Sequence, residues 1–379
     1  MVIGIEARQA FTKKRTGVEN YAYEIIKHLI KIDQTNQYRL YYQDESFDPI
    51  AEGFEGPNVK LIHIGLPRLW TQIGLAWEVI KHPPDVLFMP EHTMPVVRRP
   101  GQKVVNTIHD LGAEYLPQYH KFPHKYYLNM MTVYAVNHAD KLLAVSESTK
   151  NDLVKRLGAR EKKIEVVYEG FEKETFHPAE KEEQKKISEV IKKYNIGIKE
   201  YMLFVGTVQP RKNLERLIEA FSSIADQIAN VDLVIGGGKG WLSDEIYAAP
   251  KKFDVEGRVK FIGFADSADL PALYHGASLL TLPSLYEGFG LPVVEAMASG
   301  TPVVVSQSSS LPEVVGSAGV IVDPLDVNSI AEGLLKVLKD DKLAKELSEK
   351  GLKQAEKFGW DKAATQTLEI LEKIGRKHE

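Results

Sequence analysis

The chain has 379 residues, of which 44% are hydrophobic and 26% are charged, and its formal net charge at pH 7 is −4. This composition is typical of a globular protein, and the length predicts two domains of similar size. Nucleic-acid-binding proteins usually carry a strong basic field, so the charge balance argues against that class. The chain contains no cysteine, which excludes disulfides and thiolate metal sites.

The N-terminal sequence MVIGIEARQAF lacks a basic segment followed by a long apolar run, so it predicts no signal peptide. No stretch reaches the roughly 18 uninterrupted apolar residues that a transmembrane helix needs. We therefore expect a cytoplasmic protein.

In the first half of the chain, short apolar runs alternate with amphipathic stretches. VIGIEA at 2–7 predicts a strand, and GVENYAYEIIKHLIKI at 17–32 predicts a helix because its apolar residues recur at helical spacing. The further strand-like runs are YRLYYQ, KLIHIGL, DVLFMP, KVVNTIHD, KLLAVS and KIEVVYEG. Strands rich in valine, isoleucine and leucine that alternate with helices predict a mostly parallel sheet covered on both faces.

The alternation breaks in a charged stretch without strands and then restarts, which places a domain boundary in the middle of the chain. We predict an N-terminal domain over 1–180, a linker with one solvated helix over 181–198, and a second doubly wound domain over 199–358. The tail, 359–379, predicts a helix that packs back on the first domain. Two such domains predict a cleft between the carboxyl ends of two parallel sheets, where ligands of α/β proteins bind.

The segment SLYEGFGLPVVEAMASG places two glutamates eight positions apart around a glycine-rich turn. The strand-like run SLLTLPS delivers Glu287 in a loop, and Pro292 suits the first turn of a helix that carries Glu295. Gly288 and Gly290 allow the backbone to come close to a ligand at a helix N-terminus. Phosphate or sugar oxygens would fit this place; ordinary surface carboxylates are the alternative.

A second polar segment, FVGTVQPRKNLERLIEAF, follows the first strand of the second domain. Gly206 ends the strand, and Asn213 is predicted to cap the next helix. Arg211 and Lys212 stand just before that cap. Two cations at a helix start, at the mouth of a parallel sheet, favour a diphosphate ligand; a solvated basic turn is the alternative.

Polar residues also follow strand-like runs in the first domain. Gly17 lies at a predicted helix N-terminus, where a loop can approach an anion, although an ordinary turn explains it as well. His109 and Asp110 end the run VVNTIHD, and a structural histidine is the alternative to a ligand-binding one. Glu91 and His92 form a further polar loop after a strand, in MPEHTMP.

Two common signatures are missing from the sequence. The run IGGGKGW has Trp241 where a G-x-G-x-x-G fingerprint needs its third glycine, so a dinucleotide site is not favoured. The eleven histidines show no HExxH or other close ligand spacing, so we predict no metal site.

Taken together, these motifs resemble those of the family 4 retaining glycosyltransferases, which have the GT-B fold. EGFGLPVVE is similar to the E-x7-E signature of that family, and the similarity extends over nearly the whole chain through TGVEN, TIHDL, VSESTKNDL, VGTVQPRKN and ASGTPVVVS. VGTVQPRKN and TIHDL look most like mannosyltransferases of bacterial polysaccharide assembly. The resemblance implies an α/β fold of two doubly wound, Rossmann-like domains that face a central cleft.

The resemblance also implies a role for each candidate site residue. Glu287 would contact hydroxyls of the donor sugar, and Glu295 would contact those of the ribose. Arg211 and Lys212 would neutralise the diphosphate, and His109 would lie near the transferred sugar. The other donor-binding positions are Gly17 near the phosphates, Gly206 at the strand end before the basic pair, Ile262 and Phe264 at the base, and Phe289, Gly290 and Leu291 at the sugar and distal phosphate.

The implied activity is retaining transfer of a hexose, most simply mannose from GDP-mannose, to a hydroxyl of a saccharide or lipid-linked saccharide. A UDP-sugar is the alternative donor, and no cofactor is required. A lipid-linked acceptor would imply peripheral contact with the inner face of the membrane. Many family members carry an arginine where this chain has Thr207, so we infer that Arg211 takes over that charge. Two other functions remain open: a sugar-nucleotide epimerase of the same fold and a non-catalytic sugar-nucleotide-binding protein.

Overall fold

A computed structural model describes residues 1–13, 15–112, 124–197 and 199–376 of the chain. The chain divides into two compact units. The first comprises Met1–Gly170 together with Gly359–Glu379, and the second comprises Phe171–Phe358. Each unit is built around its own parallel sheet.

The sheet of the first unit has seven strands in the described residues, all paired in parallel. In chain order they are β1 (Val2–Glu6), β2 (Gln37–Tyr42), β3 (Val59–His63), β4 (Val86–Met89), β5 (Lys103–Ile108), β6 (Lys141–Ala144) and β7 (Ile164–Val166). Their spatial order is β3-β2-β1-β4-β5-β6-β7. The direction of winding reverses between β1 and β4, and the carboxyl ends of strands at such a switch point are where α/β sheets bind ligands.

Helices cover both faces of this sheet, as buried parallel strands require. They are α1 (Gly17–Ile32), a π-helical turn (Trp70–Leu75) that runs into α2 (Ala76–Lys81), α3 (His124–His138), α4 (Glu147–Leu157) and a 3₁₀ turn (Glu161–Lys163). Helix α1 starts at a capping box. The side chain of Thr16 accepts from the backbone N–H of Glu19, and the side chain of Glu19 accepts from the backbone N–H of Thr16.

The described residues of the second unit form a six-stranded parallel sheet. Its strands are β8 (Glu200–Val205), β9 (Val231–Gly236), β10 (Val259–Gly263), β11 (Leu279–Leu282), β12 (Val303–Ser306) and β13 (Gly319–Val322). Their spatial order is β10-β9-β8-β11-β12-β13, so the switch point lies between β8 and β11. The two loops that the sequence singled out, after β8 and after β11, therefore leave the sheet side by side.

The helices of the second unit alternate with these strands. They are α5 (Gln184–Lys193), α6 (Leu214–Ile224), α7 (Asp244–Lys252), α8 (Leu270–Gly276), α9 (Leu291–Ala298), α10 (Leu311–Val315), α11 (Val327–Leu338) and α12 (Asp341–Ala355), with 3₁₀ turns at Lys181–Glu183, Pro210–Lys212, Ala225–Ile228 and Ser267–Asp269. None of the helices in the described part of either unit is long and apolar enough to span a bilayer.

The predicted linker over 181–198 differs from the structure, which groups its described residues with the second unit. Helix α5 packs against α8 and buries Ile187 and Val190. Lys193, at its end, donates to Asp266 at 2.7 Å and to Asp269 at 2.6 Å. Two apolar residues three positions apart are enough to bury one stripe of a helix, although the segment as a whole is charged. Residue 198 lies outside the described residues.

The C-terminal helix (Trp360–Gly375) belongs to the first unit. It packs along α1 and contacts β4 and β5. Trp360 is buried, with its ring 5.9 Å from that of Tyr21, and Asn36 donates to Glu372 at 3.0 Å. Residues 377–379 of the predicted tail lie outside the described residues.

Candidate active site

The carboxyl ends of β8 and β11 bring three charged side chains together at the switch point of the second sheet. Lys212 Nζ donates to Glu287 Oε1 at 2.6 Å, and Arg211 Nη1 donates to Glu287 Oε2 at 3.0 Å. Arg211 Nη1 also donates to the carbonyl oxygen of Tyr286 at 2.8 Å. The basic pair and the first glutamate of the E-x7-E motif thus form one cluster, which we call the Arg–Lys–Glu trio.

The trio is largely removed from solvent. Glu287 is 6% exposed, and the side chains of Arg211 and Lys212 are 19% and 10% exposed. Burial alone would raise the pKa of Glu287, but the charges of Lys212 and Arg211 outweigh it and lower that pKa below its usual value. Glu287 is therefore ionised at neutral pH. Two cations and one carboxylate leave the trio with a net charge of +1, which suits an anionic ligand.

Two serines after β12 fix the loop that carries Glu287. Ser309 Oγ accepts a hydrogen bond from the backbone N–H of Glu287 at 2.8 Å. Ser310 Oγ lies 3.1 Å from the carbonyl oxygen of Glu287 and 2.9 Å from that of Phe289, and bonds to both. These serines hold the turn in place through its backbone and so position the carboxylate of Glu287 beside the cations.

Helix α9 begins directly after this turn. Gly290, its N-cap, has a φ of +108°, and a Cβ at this position would lie 2.8 Å from Leu311 Cδ2. Only glycine tolerates both conditions. Leu291 and Pro292 occupy the first turn. Proline has no N–H, and the N–H of Val293 donates to the carbonyl oxygen of Gly290 at 2.9 Å, so Leu291 is the N–H donor that this turn offers at the helix N-terminus. Phe289 is buried, with its ring packed edge-on at 5.5 Å against that of Phe358.

Glu295, the second glutamate of the motif, accepts a hydrogen bond from a buried tyrosine. The hydroxyl of Tyr274, on α8, donates to Glu295 Oε2 at 2.7 Å. Tyr274 is fully buried, and burial together with the charge of Glu295 raises its pKa well above the usual value. The tyrosine therefore stays protonated and orients a half-buried carboxylate in the second turn of α9.

The loop after β8 lies close to the backbone at the end of β9. Gly206 donates its N–H to the carbonyl oxygen of Gly236 at 2.9 Å, and a Cβ at Gly237 would lie 1.8 Å from Gly206 O. Ile262 lies in β10, two strands from β8, and Phe264 follows that strand with 43% of its surface exposed. The positions expected to meet the base are thus at the same edge of the sheet as the trio.

The predicted capping role of Asn213 is wrong in its detail. Asn213 stands at the N-cap of α6 with a φ of 61°, but its side chain makes no capping hydrogen bond. Its Nδ2 donates instead to the carbonyl oxygens of Pro283 at 3.0 Å and Pro324 at 2.7 Å. Asn213 therefore ties the loop after β8 to the loops after β11 and β13, which supports the backbone beside Lys212.

In the first unit, His109 lies at the carboxyl end of β5 and is buried among four partners. Its Nδ1 lies 3.3 Å from Glu169 Oε1 and its Nε2 lies 2.9 Å from the carbonyl oxygen of Pro90. The ring of Tyr21 meets it edge-on at 4.7 Å, and the ring of His92 stacks on it at 5.6 Å. Since both ring nitrogens face acceptors, the arrangement favours the doubly protonated, imidazolium form of His109.

The electrostatics agree with that assignment. Burial alone would lower the pKa of His109, but the hydrogen bond and charge of Glu169, aided by Pro90 and Asp110, raise it. His92 behaves in the opposite way, because its Nε2 accepts the backbone N–H of His109 at 3.0 Å. Burial and the neighbouring His109 lower the pKa of His92 to about 4, so His92 is neutral at pH 7.

Two further predicted positions lie at the same edge of the first sheet. Gly17 is the first residue of α1, and a Cβ there would meet no atom within 4 Å. Glu91, after β4, is fully engaged: its Oε1 accepts from Thr93 at 2.5 Å and from Arg8 at 3.4 Å, and its Oε2 accepts from Gln9 at 2.9 Å. Glu91 is therefore a structural acceptor in this conformation.

The structure brings Arg211, Lys212 and Glu287 together, gives Glu295 a separate partner, and assigns Gly17 and His109 to the other unit. Sequence reasoning missed the residues that hold these groups. Glu169 follows β7 as His109 follows β5, so a search for polar residues after every strand would have found it. Tyr274 and the two serines carry no such signal, because hydroxyl groups are common in helices and loops.

Comparison with known proteins identifies the chain. Residues 181–354 match the family described as glycosyl transferases group 1, and residues 15–175 match glycosyltransferase family 4. The chain is 28% identical over 370 residues to O-antigen chain mannosyltransferase B of Escherichia coli, covering 93% of this chain and 95% of that protein.

Two solved structures share the fold. Sucrose-phosphate synthase from Thermosynechococcus elongatus has a TM-score of 0.77 at 19% identity and covers 98% of both chains. Anabaena HepE, in complex with UDP-glucose, has a TM-score of 0.77 at 20% identity and covers 99% of this chain and 100% of its own. The GT-B fold and the family predicted from the motifs are confirmed. The chain belongs to the group 1 and family 4 glycosyltransferases and is a glycosyltransferase.

Proposed function

We propose that this enzyme is a retaining hexosyltransferase that transfers mannose from GDP-mannose to a hydroxyl of a saccharide or lipid-linked saccharide. Similarity to an O-antigen chain mannosyltransferase supports the sugar and the class of acceptor. The UDP-glucose bound to a protein of the same fold supports a sugar nucleotide as donor. The observation that carries the proposal is the buried, net positive Arg–Lys–Glu trio at the switch point of the second sheet.

In this proposal the second unit binds the donor. The diphosphate lies beside Arg211 and Lys212, and the N-terminus of α9 adds the backbone N–H groups of Gly290 and Leu291. Negative charge develops on the nucleoside diphosphate as the bond to the sugar breaks. Cations that are already fixed in place stabilise that charge without reorganisation, and this electrostatic effect is the main contribution of the protein. Glu287 accepts hydrogen bonds from sugar hydroxyls, and Glu295 accepts them from the ribose.

Retention of configuration could arise from a covalent glycosyl–enzyme intermediate or from attack on the same face that the leaving group departs. We favour same-face attack, in which the departing phosphate takes the proton of the acceptor hydroxyl. Glu287 is a poor nucleophile because two cations hold both of its oxygens, at 2.6 and 3.0 Å. Glu287→Gln should then keep part of its activity. Complete loss of turnover, with a sugar–enzyme adduct trapped in the wild type, would favour the covalent route.

The first test is donor binding, measured as the thermal midpoint with GDP-mannose, UDP-glucose and ADP-glucose. A ligand at 100 times its Kd stabilises the folded state by about 2.7 kcal/mol, so the correct nucleobase should stand out. Lys212→Met should reduce the shift, whereas Lys342→Met, an exposed lysine on α12, should not. If none of the three sugar nucleotides raises the midpoint, the donor assignment fails.

The second test is turnover with and without an acceptor. A transferase releases GDP and forms an α-mannosidic product only when a saccharide acceptor is present. An epimerase would convert the donor alone, and a non-catalytic binding protein would bind the donor and release nothing with any acceptor. Lys212→Met should lower kcat/KM by roughly 100- to 1000-fold, as expected when one charge that stabilises a leaving group is removed.

A further inference from the structure

Exposed apolar side chains are concentrated on one part of the first unit. The described residues include fourteen large hydrophobic side chains that are exposed. Seven of them lie on three short segments: Leu69 and the pairs Ile73 and Trp77, Val96 and Val97, and Met130 and Val133. Trp77, the largest, is 60% exposed. Single exposed apolar residues are ordinary, but a contiguous group of this kind marks an interaction surface.

Hydrogen bonds from Gln72 show that the three segments are neighbours. Its Nε2 donates to the carbonyl oxygen of Met94 at 3.1 Å and contacts Met131 Sδ at 3.4 Å. Its Oε1 accepts from the backbone N–H of Val96 at 2.9 Å, and the hydroxyl of Tyr134 donates to Val96 O at 3.0 Å. Each of these contacts involves a residue next to, or part of, the exposed set.

The spacing within each helix places its exposed residues on a single face. Ile73 and Trp77 are four positions apart, and Met130 and Val133 are three positions apart, so each pair shares one side of its helix. Val96 and Val97 lie between these helices in sequence and beside Gln72 in space. We call the six residues of these three pairs, together with the cations described next, the docking surface.

The charges around these residues have one predominant sign. The segments 68–81, 94–99 and 129–138 carry four basic residues, Arg68, Lys81, Arg98 and Arg99, and one acidic residue, Glu78. Glu78 Oε1 is only 3.1 Å from His82 Nδ1, so a neighbouring histidine faces it.

Two of the four cations lie against aromatic rings. Lys81 Nζ lies 4.7 Å from the ring centre of Trp77, and Arg98 donates to the Tyr134 hydroxyl at 3.1 Å. An aromatic ring with a cation over its face combines an apolar body with a charged group. This combination suits the boundary between lipid chains and headgroups.

We propose that the docking surface binds the enzyme to an anionic lipid bilayer, with Trp77 and its apolar neighbours at headgroup depth and the four cations on lipid phosphates. A basic, aromatic and aliphatic surface gains both apolar burial and attraction to anionic lipid. A symmetric dimer through the same surface would place like charges opposite each other, because such an interface pairs a patch with itself. The inference goes beyond donor chemistry and does not depend on the trio in the second unit.

Sedimentation of the full chain with lipid vesicles, without any sugar nucleotide, tests the proposal. We expect binding to vesicles of phosphatidylcholine mixed with phosphatidylglycerol, much weaker binding to phosphatidylcholine alone, and weaker binding as salt rises. Arg98→Gln with Arg99→Gln should lower the partition coefficient by roughly 25-fold, at about fivefold for each charge. Ile73→Ser with Trp77→Ser should lower it by roughly tenfold or more.

Matched controls come from the second unit. Leu325→Ser removes a side chain that is 68% exposed, and Lys342→Gln with Lys345→Gln removes two exposed charges on α12. Both controls should bind vesicles as the wild type does.

Three results would overturn the proposal. The first is wild-type protein that does not bind anionic vesicles, and the second is docking-surface variants that bind them as well as the controls do. The third is a wild-type dimer in sedimentation velocity that the double substitution Ile73→Ser with Trp77→Ser converts to a monomer. If a variant fails to fold, the binding of the wild-type protein to the two vesicle types still tests the proposal. Because no donor is present, failure of the mannosyl-transfer proposal leaves this result unchanged.

Discussion

Replacing Glu287 by glutamine should destabilise the second unit and strengthen the effect of nucleotide on its stability. The substitution preserves shape but removes the carboxylate that pairs with both Arg211 and Lys212, whose side chains are only 19% and 10% exposed. Breaking one side of a buried ion pair costs about 3–5 kcal/mol. The glutamine oxygen can still accept one hydrogen bond, which returns about 1 kcal/mol, so we expect a loss of about 2–4 kcal/mol.

For a unit of this size that loss corresponds to a thermal midpoint lower by roughly 5–15 °C. GDP should then raise the midpoint of Glu287→Gln by more than it raises that of the wild type, because its phosphates replace the missing negative charge and no longer compete with Glu287. Differential scanning fluorimetry across a GDP titration measures both effects.

Glu295→Gln provides the matched control. Glu295 accepts a hydrogen bond from Tyr274, a neutral donor. Its substitution should cost only about the energy of one hydrogen bond, about 1 kcal/mol, and should not enlarge the GDP shift. If Glu287→Gln has the same thermal midpoint as the wild type, or if GDP raises its midpoint by less, the trio is not a preformed anion site.

Three further predictions follow from the same contacts. Because the pKa of Glu287 is lowered in the folded state, its contribution to stability is present above about pH 4.3 and should be lost as the pH falls through the folded pKa. Urea titrations at several pH values measure this change in the free energy of unfolding. The pKa of His109 is raised in the folded state, so the stability gained from its pair with Glu169 is fully present below about pH 6.5 and is lost as the pH rises through the folded pKa. Glu169→Gln should lower the pKa of His109, as measured by ¹⁵N NMR of the imidazole ring. An unchanged titration of the ring would contradict the imidazolium assignment. Gly290→Ala should lower the free energy of unfolding by about 1–3 kcal/mol, since φ is +108° there, and an equally stable variant would show that the turn relaxes freely.

The sequence predicted the alternation of strands and helices well because parallel strands buried on both faces must be almost continuously apolar. The same logic placed Arg211, Lys212 and Glu287 after strands, and family resemblance suggested that they act together. The periodicity of apolar residues does not predict the spatial order of the strands, however. Contacts such as those of Glu169 with His109, which join residues 60 positions apart, follow from that order and were missed.

Composition also misled at one point. The stretch around α5 is so rich in lysine and glutamate that it resembles a solvated linker, yet Ile187 and Val190 fasten it to α8. Average charge describes the exposed face of a helix, whereas its position is decided by the few residues on the other face. The predicted boundary was therefore placed later than Gly170, where the first unit is interrupted.

The return of the chain to the first unit has a consequence for biosynthesis. A Cβ on Gly170 would lie 2.2 Å from the backbone nitrogen of Trp360, so the segment that returns to the first unit packs tightly against the point where the chain leaves that unit. A nascent chain can complete the second unit first, because all of its residues precede position 359. The amino-terminal unit cannot complete its packing until the helix Trp360–Gly375 has been made, so a truncation just before position 359 would damage the domain that was translated first.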